Sequence, residues 1–261
     1  MSGVSYTIKA LHYATQQVPG PQVFFQTGWE ERVEFYYYVF LVRGEGTTAI
    51  VDCGTSTFAP VNDLLRRDLG EQGTARPTRD GQAVTALLAE EGVRPQDVDV
   101  VAITHFHWDH VGNVGLFPNA RFLVSEQGWK AHQDLLARVP QMAADPVFPA
   151  QATDFLAANA ERVEFTADGP TLLPGVDIRH VGGHTADSAA FTIPTEEGRV
   201  VIPGDTIWTY TNLERDLPVG AAVDIRQCYE AMAWAKSAGD LVLPTHDPAI
   251  LRRHPDGIGR R

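Results

Sequence analysis

Apolar positions fall along this chain in short runs rather than in long periodic stretches. Residues 34–42 (Glu-Phe-Tyr-Tyr-Tyr-Val-Phe-Leu-Val) are aromatic and β-branched, Arg43-Gly-Glu-Gly supplies a turn, and residues 47–51 resume an apolar run ending at Asp52-Cys-Gly. This pattern predicts a hairpin in a buried sheet. Val84, Leu87 and Leu88 give residues 82–91 a helical spacing, with Gly92 placed as the C-cap. Residues 98–104 and 121–124 read as short strands, and residues 125–137 as a helix opened by Ser125 as N-cap. Strands are expected again at 176–181, 189–194, 199–203 and 241–243, with a helix over 224–238 closed by Gly239.

Paired strands followed by strands alternating with helices imply two sheets with helices outside, an α/β four-layer αββα sandwich. The chain has no internal repeat, low-complexity tract or long Gly/Ser linker, so residues 1–261 are read as one domain. The least regular stretch is 138–151, where Pro140, Pro146 and Pro149 prevent a continuous helix. A loop of that length is expected to act as a lid or binding loop. Phe24, Phe25 and Trp29 lie in a polar segment bounded by Pro and Gly, a second source of apolar walls for a substrate pocket.

Charge narrows the partners. Lys and Arg number 21 against 33 Asp and Glu, a formal net charge of -12, and no stretch concentrates basic residues. Nucleic-acid affinity rests on cationic neutralisation of phosphates, so no nucleic-acid partner is expected. Cys53 and Cys228 form no Cys-x-x-Cys pair, which excludes a cysteine-ligated zinc site and fits a reducing, cytoplasmic location. No secretion signal or membrane span is legible. The oligomeric state stays open, a homodimer being a common outcome.

Directly after the strand at 98–104 comes His105-Phe106-His107-Trp108-Asp109-His110. Alternate residues of an extended segment face one side, so His105 and His107 can converge on one ion while Asp109 and His110, past the bend, turn toward a second. Two ions need further ligands. His184 in Gly-Gly-His-Thr, Asp205 in Pro-Gly-Asp-Thr and His246 in Pro-Thr-His-Asp each follow an apolar run directly, which places all of them on one edge of the sheets.

His-x-His-x-Asp-His, then Gly-His-Thr, Gly-Asp and a late Thr-His at strand ends resemble the metallo-β-lactamase fold superfamily, over about residues 34–246. Asp52-Cys-Gly is similar to its Asp-x-Gly turn. The resemblance implies that His105, His107 and His184 hold one metal, that Asp109, His110 and His246 hold the other, and that Asp205 bridges them. The segment from Asp205 to Glu214, the following Leu-Pro-Val-Gly and the late Pro-Thr-His-Asp-Pro look most like the N-acyl homoserine lactonase branch. Lactonases of that branch often carry a tyrosine three residues after the bridging aspartate; here Trp208 stands there, and Tyr210 is expected to supply the hydroxyl unless Trp208 serves as an apolar wall.

The function implied is a dinuclear metal-dependent hydrolase that opens a lactone or related cyclic ester with a metal-bridging hydroxide, quorum quenching being the activity of that branch. The two divalent ions are expected to be zinc, although Mn, Fe or Co suit the same donors. Asp109 is expected to carry the proton to the leaving oxygen, and Asp52 to support a ligand histidine from behind. Hydrolysis of a thioester, as in glyoxalase II, or of a β-lactam or amide is the alternative on the same site. Ser188 in place of a second histidine weakens the thioester reading, and His107 disfavours a di-iron redox centre. A metal-bound regulatory protein without turnover is the remaining alternative. His12, His132, His180 and His254 read as solvated or satisfied polar residues, and Cys53 as a small buried one.

Overall fold

The computed structural model describes residues 3–81 and 83–259; Gln82, where the first helix was expected to begin, lies outside them. One sheet contains β1 (Tyr6–Pro19), β2 (Arg32–Gly44), β3 (Thr47–Val51), β4 (Arg76–Pro77), β5 (Val100–Ala102), β6 (Arg121–Ser125) and β7 (Val163–Thr166), in the order β4-β1-β2-β3-β5-β6-β7. The other contains β8 (Gly169–Pro170), β9 (Asp177–His180), β10 (Ala189–Thr195), β11 (Gly198–Ile202) and β12 (Leu241–Val242), in the order β12-β11-β10-β9-β8. The helices are α1 (Gly20–Val23), α2 (Ala59–Leu69), α3 (Ala83–Glu90), α4 (Trp108–Val111), α5 (Glu126–Arg138), α6 (Ala150–Ala158), α7 (Tyr210–Arg215), α8 (Ile225–Ala238) and α9 (Ala249–Arg253).

Strand alternation sorts the core into layers. Ala49 and Val51 of β3, with Val100 and Ala102 of β5, point into a cluster shared with Ile178, Phe191, Ile193 and Ile202 of the second sheet. Ile50 and Val101 point the other way, against Val61, Val84, Leu88 and Leu156 of the helices. On the far side, Val201 meets Met232 and Ala235 of α8. Helix, sheet, sheet, helix is therefore the layer order, as the sequence pattern predicts. A one-residue slip of β3 would exchange Ile50 with its neighbours between two cores, so the register is fixed by side-chain volume.

The hairpin appears as β2 and β3, paired antiparallel from Phe40–Val51 to Gly44–Thr47. Ser125 caps α5 by accepting the Gly128 N–H at 3.1 Å, and Asp224 caps α8 by accepting from Arg226 and Gln227 at 2.9 and 3.1 Å. The long strand β1 was not foreseen. It pairs antiparallel with β2 along its whole length, but the register shifts between His12 and Ala14, and that bulge breaks the two-residue alternation a sequence reading depends on. The prolines of 138–151 act as expected: a short 3-10 turn covers Pro140–Ala144, and a regular helix resumes only at Ala150.

β3 and β5 run parallel, as do β11 and β12, so within each sheet these carboxyl ends lie on one edge, and hydrogen bonds bring the two edges together. Two contacts tie the sheets together there. The Ala189 N–H donates to the Thr104 carbonyl at 2.8 Å, and the Tyr36 N–H to the His246 carbonyl at 3.0 Å.

Candidate metal centre

Each candidate ligand stands just past a strand on that edge. His105 to His110 follow β5, His184 follows β9, Asp205 follows β11 and His246 follows β12. The turn before His184 needs both glycines: Gly182 and Gly183 have φ of 60° and 87°, and a Cβ on Gly183 would lie 2.8 Å from Cys228 Sγ.

The side chains gather into two groups, each able to hold a metal ion: His105, His107 and His184 in one, Asp109, His110, Asp205 and His246 in the other. Within the first, His107 Nδ1 lies 3.0 Å from His184 Nε2. Asp205 lies between the groups. Its Oδ1 is 3.3 Å from His110 Nε2, both of its oxygens are 3.1 Å from His246 Nε2, and its Oδ2 is also 3.6 Å from His184 Nε2 and 3.9 Å from His105 Nε2. Asp109 Oδ2 is 3.1 Å from His110 Nε2 and 3.9 Å from His246 Nε2.

Four rings are fixed from behind through one nitrogen, which turns the other nitrogen of each inward. His184 Nδ1 donates to the Ala221 carbonyl at 2.6 Å, His246 Nδ1 to the Tyr36 carbonyl at 3.0 Å and His110 Nδ1 to Asp52 Oδ2 at 2.7 Å. The Thr104 hydroxyl donates to Asp52 at 2.9 Å and accepts from His105 Nδ1 at 3.1 Å. Asp52, at a strand end, thus lies directly behind His110, one of the candidate ligands. The partners on Thr104, Tyr36 and Ala221 carried no sequence signal, since two of them are backbone carbonyls.

Burial pushes the pKa of His105, His107 and His184 down, that of His107 to about 3, which keeps these rings neutral and ready to donate to a cation. Burial also opposes charge on His110, but the carboxylates of Asp109, Asp205 and Asp52 outweigh it and hold that pKa well above the ordinary value. Burial works against the charge on Asp205 too, and the facing His246 and His110 rings nevertheless hold its carboxyl well below the usual range. The buried Nε2 atoms of His105 and His110 have no hydrogen-bond partner. Imidazole nitrogens plus carboxylates, with buried inward-facing nitrogens left unpartnered, fit divalent cations.

A cavity of about 580 Å³ adjoins the cluster, walled by Thr55, Thr57, Trp108, Phe148 and neighbouring residues of the proline-rich stretch. That stretch is fastened to the motif: the Trp108 N–H donates to the Val147 carbonyl at 2.9 Å, and the Phe148 ring packs edge-on against His107 at 4.8 Å.

Tyr210 does not join the cluster, which corrects the expectation that its hydroxyl serves there. Its ring lies in the core between the sheets, under the Arg253 guanidinium at 3.7 Å, because α7 starts at this residue and carries its side chain away from the edge. Trp208 is buried behind the candidate ligands, 5.5 Å from the His184 ring and 5.9 Å from the His246 ring, and is not among the described residues that wall the cavity. Two of the lone histidines are satisfied, His12 on the Ala14 carbonyl at 2.9 Å and His180 on the Ala186 carbonyl at 2.8 Å. His132 is not: it is buried with Nδ1 unpartnered. Cys53 is buried, its thiol pushed up by burial, as expected of a packing residue.

Two facing sheets with a His/Asp edge suited to two cations define a class of metal-dependent hydrolases. The profile of the Metallo-beta-lactamase superfamily matches residues 32–246, and the chain belongs to that superfamily. It is 24% identical over 190 residues to an N-acyl homoserine lactonase of Bacillus sp, covering 72% of this chain and 70% of that protein. It is 28% identical over 165 residues to metallo-beta-lactamase domain-containing protein 1 of Xenopus laevis, covering 62% and 59%. Among solved structures, an N-acyl homoserine lactone hydrolase with N-hexanoyl-L-homoserine bound at its catalytic metal center superposes with a TM-score of 0.72 at 19% identity, over 99% of this chain and 100% of that one.

Proposed function

We propose that the protein is a dinuclear metal-dependent hydrolase, one catalytic domain that opens a lactone or related cyclic ester. The observation that carries this reading is Asp205, whose one carboxylate reaches both groups of candidate ligands, 3.1 and 3.3 Å from His246 and His110 Nε2 on one side and 3.6 Å from His184 Nε2 on the other. Two divalent ions held there, zinc first among those the donors suit, would acidify water at neutral pH and polarise an ester carbonyl. His105, His107 and His184 would hold one ion, Asp109, His110 and His246 the other, with Asp205 shared.

The protein's own contribution is orientation and proton transfer. Asp52, Thr104 and the carbonyls of Tyr36 and Ala221 fix the rings so that little rearrangement accompanies binding. Asp109, buried with its Oδ2 3.1 Å from His110 Nε2, would take a proton and pass it to the leaving alkoxide. The ester itself comes from the similarity to N-acyl homoserine lactonases. The adjoining cavity favours an uncharged, partly apolar substituent, because Asp145 is the lone ionisable residue among its described lining.

Proton release during hydrolysis of a lactone panel by the zinc-loaded protein tests this. Ring opening abolished by chelation and restored by zinc is expected. Full zinc loading with no lactone opened, but with thioesters or β-lactams cleaved, would replace the substrate class and keep the centre.

A further inference from the structure

Helix α5 lies outside the ligand cluster, yet it packs on the residue between two of the candidate ligands. Phe106 separates His105 from His107; its ring lies 5.4 Å from that of Trp129 and 4.7 Å from that of His132, both on α5. Its backbone N–H is held separately, by Asp187 Oδ2 at 2.8 Å.

Asp187 is three residues past His184, in a turn closed by the Thr185 N–H donating to Ser188 Oγ at 3.1 Å. The next strand residue, Ala189, donates its N–H to the Thr104 carbonyl at 2.8 Å. Two hydrogen bonds thus join segment 104–106 to segment 187–189, and the first group of candidate ligands flanks this joint, with His105 inside the first segment, His107 directly after it and His184 three residues before Asp187. Helix α5 closes on the joint. A Cβ on Gly128 would lie 2.5 Å from the Asp187 carbonyl oxygen, and one turn later His132 Nδ1 faces Asp187 Oδ1 at 3.9 Å. Both atoms are buried, and neither has a hydrogen-bond partner. At 3.9 Å they are not bonded, but a small rotation of either side chain closes the gap.

We propose that Asp187 is a positioning residue for the His105, His107 and His184 group, tying their two segments together, and that His132 braces it from α5. The role of these residues as ligands rests on the reading above; the joint itself does not. Without Asp187 the Phe106 N–H loses its buried acceptor, and His107 is free to shift relative to His184.

The test uses the full chain with Asp187→Ala and Asp187→Asn. Hydrogen exchange at Phe106 is followed in metal-free protein, and zinc affinity by competition with a chromophoric chelator. Asp187→Ala is expected to speed Phe106 exchange about tenfold or more. It is also expected to weaken one of two zinc dissociation constants by about 10- to 100-fold while leaving the other unchanged. Asp187→Asn retains a carbonyl for Phe106 and turns an N–H toward His132 Nδ1, so both readouts are expected to return near wild type. Unchanged Phe106 exchange in Asp187→Ala, or equal losses in Ala and Asn variants, would overturn the proposal. Should Asp187→Ala not fold, Asp187→Ser, too short to reach the Phe106 N–H, decides by the same readouts. A wild-type protein that binds fewer than two zinc ions would defeat the dinuclear reading, and Phe106 exchange would still decide the role of Asp187.

Discussion

His110 Nδ1 lies 2.7 Å from Asp52 Oδ2, with both side chains buried and Asp52 held in the left-handed region at φ 59°. Asp52 accepts as well from the Thr104 N–H at 2.8 Å, so its carboxylate faces donors only and fixes the His110 proton on Nδ1. Asp52→Asn removes the negative charge behind the ring and sets an amide N–H against one of these donors, which loosens the orientation of His110. Zinc affinity should fall about 10- to 100-fold, as for other partners behind metal ligands. An unaltered dissociation constant in chelator competition would show that His110 needs no such support.

His107 and His246 belong to different groups of candidate ligands. His107→Ala and His246→Ala should each lose one ion of two, and the double variant both. Elemental analysis finding full occupancy in either single variant would remove that residue from the ligand set.

For Asp109, the expected signature separates binding from turnover. Asp109→Asn should keep most of its metal, because an amide oxygen still coordinates, while kcat falls by about a hundred- to ten-thousand-fold for want of a proton carrier. Normal turnover at full loading would assign proton transfer elsewhere.

Much of this site was legible because its residues are consecutive or stand directly after apolar runs. The motif from His105 to His110, and the strand-end positions of His184, Asp205 and His246, survive into the structure with their neighbours unchanged. Strands β3 and β6 were legible for the same reason, as short runs bounded by turn residues. Strand β1 was not: Gln16 is a polar residue at one of its buried positions, Lys9, His12, Thr15 and Gln17 separate the apolar ones, and the bulge after His12 shifts the phase. Tyr210 failed differently. Sequence distance from Asp205 was a fair guide to chain position but not to direction, which is set by the Thr209 cap and the start of α7. His132 and Asp187 carried no signal, because their meeting depends on how α5 docks.

Tyr210→Phe follows from that correction. The hydroxyl is buried with no partner, so removing it should leave kcat and zinc content unchanged. Stability should hold or rise by up to about 1 kcal/mol, since an unmet buried hydroxyl is lost. A tenfold drop in kcat in steady-state kinetics would return Tyr210 to the catalytic machinery.

The neutral histidines predict how the metal-free protein responds to acid. Burial holds the pKa of His105, His107 and His184 below 6.5 in the folded state, that of His107 at about 3, whereas the unfolded chain takes up protons near 6.5. Between those values the unfolded state binds more protons, so stability falls as pH drops from 6.5 toward 3. His110 has the opposite sign: its pKa is raised despite burial by Asp109, Asp205 and Asp52, so its contribution is complete below 6.5 and fades only at higher pH. Burial lowers His12, His132 and His254 as well, so six lowered rings against one raised ring leave a net loss on acidification. The Asp205 carboxylate, held low by His246 and His110 against its burial, adds a further loss once pH passes below about 3.8. Zinc should counter this while pH stays high enough for it to outcompete protons, adding about 2.7 kcal/mol at a hundred times its dissociation constant. Melting temperatures of metal-free and zinc-loaded protein should therefore diverge at neutral pH and converge toward pH 4. A metal-free melting temperature that stays flat from pH 7 to pH 4 would mean that these rings are not held neutral by burial.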